Sequence, residues 1–441
     1  MNIVIVSHER SLNKTEGLLN AFRDDNVTLV CEYLPNENKT YVGLANNLVI
    51  SKNFNITDIV ARIPHCDRVL CVSENLLPVQ SQLESHYGIQ NMTAFAAEVL
   101  SNKQMLDDFC RNIGLEKYTP LSITPTSHKQ LNVFKGNEIF SKPDIGTGSN
   151  VFYPGDDQSN PSVEYRRWNN RHHFLKYLTK KQIHNEFFEL NSQGIYTKRF
   201  NYKPCRIMFQ EYHWSQEPSA SPIGYVADGK IHISFYVKNS KVKYGEQIDP
   251  NSDPIQSHSV SEVSDIVRER AVWIAMPHEV SSEIAAASHE YMQTLVDHLK
   301  IKDMFFSGPD FHICKDGKII AIDLNPRPGQ FVNILDSLNG KNVIKSFVNN
   351  QPVDIHKKLL WGCAVLRPGV IKSLHNIESV EKYFNAQNTP LEPGLRIPVF
   401  QNLQNKSFNV NLDIPGDNEQ ELFDNYIKIN QMLQDCIEYE D

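Results

Sequence analysis

The sequence predicts a mixed α/β fold, of α/β and α+β character, and three observations carry this prediction. Three apolar runs with strand character, at residues 2–6, 28–34 and 68–73, alternate with polar or helix-like segments, which is typical of parallel βαβ units. The residue pair Asp316-Gly317 joins two apolar runs, which is a strong hairpin signal. The last ninety or so residues hold further strand-like runs, so we expect a β-rich C-terminal extension.

The chain length indicates several domains. With 441 residues, and about 150 residues per domain as a prior, the chain is too long for one hydrophobic core. Hydrophobic residues make up 40% and charged residues 22% of the chain, an ordinary globular composition. We expect an N-terminal parallel α/β domain, a small subdomain with a loop over phosphates, a large subdomain with a metal site and a C-terminal α+β extension. These cover residues 1–100, 101–204, 205–345 and 346–441.

Charge and composition exclude several classes of protein. The net charge of −8 gives no general attraction for nucleic acid. No run approaches the roughly 18 apolar residues of a membrane-spanning helix, and the N-terminus is unlike a signal peptide. The eight cysteines are scattered without a CxxC pair or zinc-finger spacing, which favours free thiols in a cytoplasmic protein.

The remaining elements follow from local periodicity. Residues 92–113 have apolar side chains at helical spacing and precede Gly114, so they predict one or two helices. The spacing in 280–300 predicts an amphipathic helix, and another closes the chain at 418–438. Strand character marks 138–142, 205–212, 222–228, 231–237 and the two arms of the hairpin, MFFSGPDFHICK and KIIAIDLNPRP, whereas a polar helix-like stretch occupies 162–193.

A lysine followed by a glycine-rich loop is the first candidate for chemistry. In FSKPDIGTGSNV, Lys142 ends a strand directly before Gly146, Thr147, Gly148 and Ser149. Glycines let backbone N–H groups approach phosphate oxygens closely, and the lysine supplies a neutralising charge. The pattern is also that of an ordinary connection, and the Walker A motif is absent, so other residues must support a phosphate site.

Acidic side chains on the hairpin form the second candidate. Asp310 lies on one arm, and strand alternation is expected to place Asp323, Asn325 and Arg327 on one side of the other arm. Carboxylate and amide oxygens suit Mg²⁺, which leaves positions for phosphates and water. The alternative is a solvated sheet face, but Asp323 sits in the apolar run IIAIDL, which favours a metal site.

These ordered motifs resemble the ATP-grasp enzymes, and within them the carboxylate-amine ligases, including bacterial ligases that join amino acids into dipeptides. The resemblance covers roughly residues 66–441. It implies that Lys103, at the start of a helix, and Lys142 contact the phosphates of ATP. It further implies that the flap of Gly146, Thr147, Gly148 and Ser149 covers the β- and γ-phosphates.

The resemblance extends to the segment that borders adenine, FQEY and the residues after it. It implies that the base is bound by backbone groups from Glu211 through Tyr212 to His213 and by the side chain of Gln210 or Glu211. Glu217 is the acid nearest to the position of the ribose-binding residue.

The same resemblance implies a role for each polar residue of the hairpin. Asp310, Asp323 and Asn325 match the metal ligands, for Mg²⁺ or alternatively Mn²⁺, and Arg327 matches an arginine that holds the transferred phosphate or a substrate carboxylate. Catalysis would fall to Lys142 and Arg327. The family more often has Glu where this chain has Asp323, a change of one methylene that metal ligation tolerates.

The resemblance thus implies an ATP-dependent ligase that forms an amide or peptide bond through an acyl phosphate. Its partners would be a small-molecule carboxylate and an amine, with no nucleic acid and no membrane, and similar enzymes are often homodimers. Gln330, where many such ligases have glycine, reshapes the acceptor pocket, so the substrates do not carry over. A carboxylase that uses bicarbonate, another ATP-grasp enzyme with a non-amine acceptor, and a catalytically silent ATP-binding protein are the alternatives.

Overall fold

The structure is a computed structural model that describes fourteen stretches of the chain. They are residues 1–7, 12–33, 43–145, 166–194, 205–213, 220–243, 246–247, 272–327, 343–349, 359–364, 366–367, 369–384, 390–397 and 410–440. Within these residues, no helix combines the length and the apolarity that crossing a membrane requires.

The N-terminal part is a four-stranded parallel sheet flanked by helices, as the sequence predicts. The strand order is β3-β2-β1-β4, and all three pairings are parallel. The edge strand β3 was not predicted, because it is only four residues long and buries only Val49 well. The strands are β1 (Asn2–Ser7), β2 (Asn26–Cys31), β3 (Asn47–Ile50) and β4 (Arg68–Cys71). The helices are α1 (Leu12–Ala21), α2 (Ile56–Arg62), α3 (Leu77–His86) and α4 (Ala94–Ser101).

The predicted helical region 92–113 consists of two helices that meet at Asn102. The backbone of Asn102 is extended, and its side chain accepts a hydrogen bond of 2.9 Å from the backbone N–H of Met105, so it caps the next helix. That helix, α5 (Lys103–Asn112), therefore begins at Lys103. Gly114, with φ of 88°, follows its end, where the left-handed conformation favours glycine.

A small antiparallel sheet lies next in the chain, with strand order β5-β8-β6-β7. Its aromatic core includes the fully buried side chains of Trp168, Phe174 and Phe209. The polar stretch predicted as helix-like provides one short strand and two helices that cover this sheet. The elements are β5 (Ser122–Ile123), β6 (Ile139–Pro143), β7 (Arg166–Trp168), α6 (Arg171–Lys180), α7 (His184–Gln193) and β8 (Ile207–Glu211).

The large sheet has nine strands and carries most of the remaining chain. Its order is β15-β14-β9-β10-β12-β16-β19, with β13 paired to β9 and β11 paired to β10. The predicted amphipathic helix α8 (Ser282–Leu299) buries Ile284, Tyr291 and Leu295. The strands are β9 (Ala220–Ala227), β10 (Lys230–Lys243), β11 (Glu246–Gln247), β12 (Val272–His278), β13 (Asp303–Ser307), β14 (Asp310–Ile313), β15 (Ile319–Ile322), β16 (Leu359–Cys363) and β19 (Asn411–Pro415).

The predicted hairpin at Asp316-Gly317 is confirmed, but its two arms are shorter than predicted. Strand β14 pairs with β15 in antiparallel register, with Asp310 opposite Ile322. The run MFFSGPDFHICK is two strands rather than one, since β13 ends at Ser307 and β14 begins at Asp310; the intervening Gly308–Pro309 peptide bond is cis. Gly308 has φ of 86°, and a Cβ atom there would lie 3.0 Å from the carbonyl oxygen of Asp323, so this close approach requires glycine.

The sequence predicts that Asp323, Asn325 and Arg327 lie on one side of a strand, but these residues do not belong to a continuous strand. Strand β15 ends at Ile322, and Asp323 has φ of 55°, in the left-handed region. Because the extended conformation ends there, alternation no longer determines where the side chains point. The backbone returns to pairing at Asn325, which forms an antiparallel bridge with Ser307.

The C-terminal part has strands and a closing helix, as predicted, and it shares a sheet with the preceding part. Strands β16 and β19 extend the large sheet beyond β12, so the segment 346–441 is continuous with it through backbone pairing. A three-stranded sheet of order β18-β17-β20 shares a hydrophobic core with β16 and β19. The remaining elements are α9 (Val343–Val348), β17 (Gly369–Leu374), α10 (Glu378–Glu381), β18 (Arg396–Ile397), α11 (Glu419–Asp435) and β20 (Ile437–Tyr439).

Candidate active site

The small sheet presents one face to its apolar core, and Lys142 lies on the opposite face, at a cavity. In the register between β6 and β8, Lys142 pairs with Met208 and Phe140 with Gln210. Phe209, which alternates with these residues along β8, is fully buried in the aromatic core. Side chains alternate along strands, so Lys142 and Gln210 share the opposite face. Burial of the apolar positions therefore aims the lysine away from the core.

A cavity at this face gathers residues from four parts of the chain. Its lining includes Lys103 and Asp107 from α5, Lys142 from β6, Asp323 from the end of β15, and Glu74 from a turn after β4. The structure thus brings together the two lysines and one of the acids that the sequence singles out. Asp107 and Glu74 were not predicted.

An ion pair between two residues of the cavity lining joins Lys142 to Asp323. The Nζ atom of Lys142 lies 2.8 Å from Oδ1 of Asp323, and the lysine side chain is only 3% exposed. Burial raises the pKa of Asp323, but the positive charges of Lys142 and Lys103 and the hydrogen bond from Lys142 more than offset this, so its pKa lies below the ordinary value. Asp323 is therefore a carboxylate at neutral pH.

Asp310 lies beside this pair in a different electrostatic environment. The hydroxyl of Ser221 donates a hydrogen bond to Oδ1 of Asp310. Burial raises the pKa of Asp310 to about 7, and the negative charge of Asp323 acts in the same direction, whereas Ser221 and Lys142 lower it. Two carboxylates that repel each other in this way favour a cation between them.

Two hydrogen bonds, one from the nitrogen and one to the oxygen of its side-chain amide, hold Asn325 in a single orientation. Its Nδ2 donates to the carbonyl oxygen of Asp323 at 3.1 Å, and its Oδ1 accepts from a terminal nitrogen of Arg327 at 3.0 Å. The Nε of Arg327 in turn donates to Oε2 of Glu74 at 2.5 Å. The guanidinium of Arg327 is thus engaged on two sides by side chains of the protein.

The donor set of this region suits a hard divalent cation. Asp310, Asp323 and Asn325 offer carboxylate and amide oxygens, which Mg²⁺ prefers. The Oδ1 atom of Asn325 has two lone pairs, so it can accept a hydrogen bond and still bind a metal ion. Among the described residues no group of three or more His, Cys, Asp or Glu side chains is clustered as a metal centre. Such a site would therefore rely on two acids and an amide, with the remaining positions left to substrate oxygens and water.

The predicted adenine-binding segment lies at the end of β8. The backbone N–H of Glu211 donates to the carbonyl of Leu121 at 2.7 Å, and that of Tyr212 donates to the carbonyl of Glu138 at 2.9 Å. The side chain of Gln210 is buried and donates to Asp107 at 3.1 Å. The Glu211 carboxylate accepts from Asn137, and His213 lies 3.5 Å from it.

The start of helix α5 is tied to the small sheet by a residue that was not predicted, Asp144. Its carbonyl oxygen accepts from the backbone N–H of Lys103 at 2.7 Å, and its carboxylate accepts from the backbone N–H of Arg206 at 2.9 Å and from Asn102 at 3.3 Å. These contacts fix the distance between the strand that carries Lys142 and the helix that begins with Lys103.

Five of the predicted site residues lie outside the described residues: Gly146, Thr147, Gly148, Ser149 and Glu217. Two residues of the cavity lining, Asp107 and Glu74, were not predicted, and of these Asp107 could have been found from the sequence. It follows Lys103 by four positions, so it lies on the same face of α5. No sequence pattern indicates Glu74, because it is far from the hairpin in sequence and reaches Arg327 only through the tertiary fold.

The chain is similar in structure to solved proteins, but comparisons of its sequence find no match. No protein-family model matches the chain, and no curated protein matches it. Many solved structures match along nearly the whole length. The L-amino acid ligase from Bacillus licheniformis is 15% identical, with a TM-score of 0.65, and the match covers 100% of this chain and 99% of that one.

Two further structures match over similar lengths. For the phosphoribosylglycinamide synthetase from Anaerococcus prevotii, identity is 13%, the TM-score is 0.62, and 99% of this chain and 98% of that chain are covered. The N5-carboxyaminoimidazole synthetase from Staphylococcus aureus complexed with ADP is 10% identical, with a TM-score of 0.59, and the match covers 98% of this chain and 97% of that one. The chain has the ATP-grasp fold. The ATP-grasp architecture that the motifs predict is thereby confirmed, with its parallel N-terminal sheet and mixed helix and sheet composition.

Proposed function

We propose that the chain is an ATP-dependent carboxylate-amine ligase. It would form an amide or peptide bond through an acyl phosphate and release ADP and phosphate, with an amino acid or a similar small molecule as substrate. The observation that carries this proposal is the cavity in which Lys103, Lys142 and Asp323 meet. The ATP-grasp fold, shared over the whole chain with an L-amino acid ligase, supports it.

The charges of this cavity suit the first chemical step. A carboxylate is a poor electrophile, so one of its oxygens attacks the γ-phosphorus of ATP while the bond from that phosphorus to the β-γ bridging oxygen breaks, which gives ADP and an acyl phosphate. Both reactants are anionic, so cations must neutralise them. Lys142, buried and already facing an acid, and Lys103 at the start of α5 supply two positive charges.

In the second step the amine nitrogen attacks the carbonyl carbon of the acyl phosphate. The carbon–oxygen bond to phosphate then breaks, the nitrogen loses a proton to solvent or to the departing phosphate, and the amide remains. Holding both substrates together is the main contribution of the protein, since an acyl phosphate is already reactive. Arg327 would add positive charge near this centre, and the flap from Gly146 to Ser149 would cover the phosphates and exclude water.

Asp310, Asp323 and Asn325 would hold Mg²⁺, with Mn²⁺ as an alternative. When bound, such a metal neutralises phosphate oxygens as a Lewis acid. For the base of ATP, Gln210 and the segment from Glu211 through Tyr212 to His213 would border the ring, and Glu217 would approach the ribose. Because the N–H groups of Glu211 and Tyr212 already donate to carbonyls, the backbone of His213 is the better candidate for a donor to the base.

A second candidate function uses the same nucleotide site with bicarbonate as the carboxylate source. The observation that favours it is that N5-carboxyaminoimidazole ribonucleotide synthetases are among the structures that match the chain along its length. The acceptor would then be an amine that becomes carboxylated.

The test is a release assay for ADP and phosphate with ATP and Mg²⁺, in which single amino acids, pairs of amino acids and small carboxylates are screened with and without bicarbonate. We expect ADP only when a carboxylate and an amine are both present, with a product lighter than their sum by one water. Release that requires bicarbonate and one amine would favour the second candidate. Saturable ATP binding without turnover in any mixture would contradict both and indicate a binding protein.

A further inference from the structure

The structure assigns a positioning role to Glu74, a residue of the N-terminal part that lies outside the hairpin and lines the same cavity as Lys103 and Lys142. We propose that Glu74 holds Arg327 in a buried ion pair and thereby fixes the amide oxygen of Asn325, which lies two residues beyond Asp323 of the cavity lining. This inference rests on the proposed function, because it concerns the oxygen that would ligate the metal.

The first support is the contact between Glu74 and Arg327. Oε2 of Glu74 accepts from Nε of Arg327 at 2.5 Å, and both side chains are only 5% exposed. A charge-assisted hydrogen bond in such a dry environment is stronger than one at the surface. Removing one partner would leave the other as an uncompensated buried charge, so the pair constrains where Arg327 can lie.

The second support is that both ends of the pair are anchored to regular structure. Glu74 begins a 3₁₀ turn, Glu74–Leu76, that two residues separate from the end of strand β4, and the backbone N–H of Leu76 donates to the carbonyl oxygen of Ser73 at 3.0 Å. Arg327 follows the bridge in which Asn325 and Ser307 exchange two backbone hydrogen bonds of 2.9 Å. The ion pair therefore connects the carboxyl end of the parallel sheet to the end of the hairpin.

The third support is that Arg327 passes this constraint to Asn325. One terminal nitrogen of Arg327 donates to Oδ1 of Asn325, while Nδ2 of Asn325 donates to the carbonyl of Asp323. These two bonds determine which end of the amide is oxygen and where it lies. Partners behind a ligand that orient it in this way typically change metal affinity by roughly 10–100-fold when they are removed.

The variants Glu74→Ala and Glu74→Gln test this role. Alanine removes both the charge and the acceptor, whereas glutamine keeps an oxygen that can accept from Arg327 and loses only the charge. The matched control is Glu84→Gln, a buried glutamate of the same N-terminal part that is hydrogen-bonded to Gln80 and Asn91 and does not line the cavity. Circular dichroism and thermal unfolding would establish that each variant is folded at the temperature of the assay.

The primary measurement is Mn²⁺ binding in the presence of ADP, followed by the electron paramagnetic resonance signal of free Mn²⁺, which does not depend on turnover. We expect the dissociation constant to rise about 10-fold or more for Glu74→Ala, less for Glu74→Gln, and not at all for Glu84→Gln. The Mg²⁺ concentration that gives half-maximal ADP release should rise in the same order.

Folded Glu74 variants with the Mn²⁺ affinity of the wild-type chain would overturn the inference, as would equal losses in Glu74→Gln and Glu84→Gln. Absence of any Mn²⁺ binding to the wild-type chain with ADP would also overturn it. Failure of the proposed function is a different result: no substrate mixture would release ADP, while Mn²⁺ would still bind with ADP and respond to Glu74.

Discussion

The Nζ atom of Lys142 lies 2.8 Å from Oδ1 of Asp323, and this contact joins the small antiparallel sheet to the end of the hairpin of the large sheet. Lys142 is almost completely buried, whereas the side chain of Asp323 is 38% exposed. The lysine therefore cannot take its charge into solvent, and the acid reaches both the lysine and the open side of the cavity. An incoming phosphate would meet a cation that is already placed.

We predict that Lys142→Ala lowers turnover at least about 100-fold, because it removes a charge that the transferring phosphate needs. The measurement is the steady-state rate of ADP release, with circular dichroism to show that the fold is retained. Lys318→Ala is the control, since Lys318 is an exposed lysine of the hairpin that lies 3.1 Å from Asp316. Near-normal ATP consumption in Lys142→Ala would contradict the assignment of this cavity.

We predict a loss of at least about 100-fold for Asp323→Ala as well, because Asp323 is both a partner of Lys142 and a proposed metal ligand. Turnover would be measured over a range of Mg²⁺ concentrations, and excess metal should not restore it fully. Asp316→Ala, which removes an exposed acid from the turn of the same hairpin, should leave turnover unchanged. Equal rates in the two variants would rule out a special role for Asp323.

Local patterns predicted most elements of the fold. Strands β1, β2 and β4 are mostly apolar, the helix α8 has a regular apolar face, and the hairpin has Asp-Gly at its turn. The edge strand β3 lacks such a pattern, since it is short and half exposed. Residues whose conformation depends on close tertiary contacts, such as Asp323 with its positive φ, break the periodicity on which sequence reasoning relies.

Part of the candidate site was predictable from ordered motifs rather than from periodicity. Lys103, Lys142 and Asp323 follow ordered motifs, and the structure brings all three to one cavity. The contact of Arg327 with Glu74 spans 253 positions of the chain, and no spacing rule connects residues so far apart. The resemblance implies that Gln210 borders the base, which stays a prediction, and no sequence pattern indicates its hydrogen bond to Asp107, because that contact depends on how α5 packs against the small sheet.

A buried ion pair between strands of two sheets gives a prediction about stability. Arg68 of β4 contacts Asp303 of β13, and their side chains are only 14% and 17% exposed. We predict that Asp303→Ala lowers the free energy of unfolding by about 3 kcal/mol, because Arg68 is left as a buried charge without its acid. Denaturant unfolding followed by fluorescence would measure this loss.

The matched control for this prediction is Asp58→Ala, which breaks an exposed pair with Arg62 one helical turn away. Exposed pairs of this kind contribute less than about 1 kcal/mol. If both variants lose the same small amount of stability, the contact between Arg68 and Asp303 does not hold the two sheets together.

The pH dependence of stability should reveal the buried carboxyl of Glu84. Burial raises its pKa to about 7 from an ordinary value near 4.5, so the folded protein keeps a proton there that the unfolded chain releases. Its contribution to stability is therefore full below pH 4.5 and falls by about 3 kcal/mol as the pH rises to 7. Glu84→Gln should remove this fall, so denaturant unfolding at pH 5 and pH 8 should show a smaller difference in the variant than in the wild-type chain. Glu98→Gln, an exposed position on α4, is the control. An identical pH dependence in the wild-type chain and in Glu84→Gln would show that folding does not raise the pKa of Glu84.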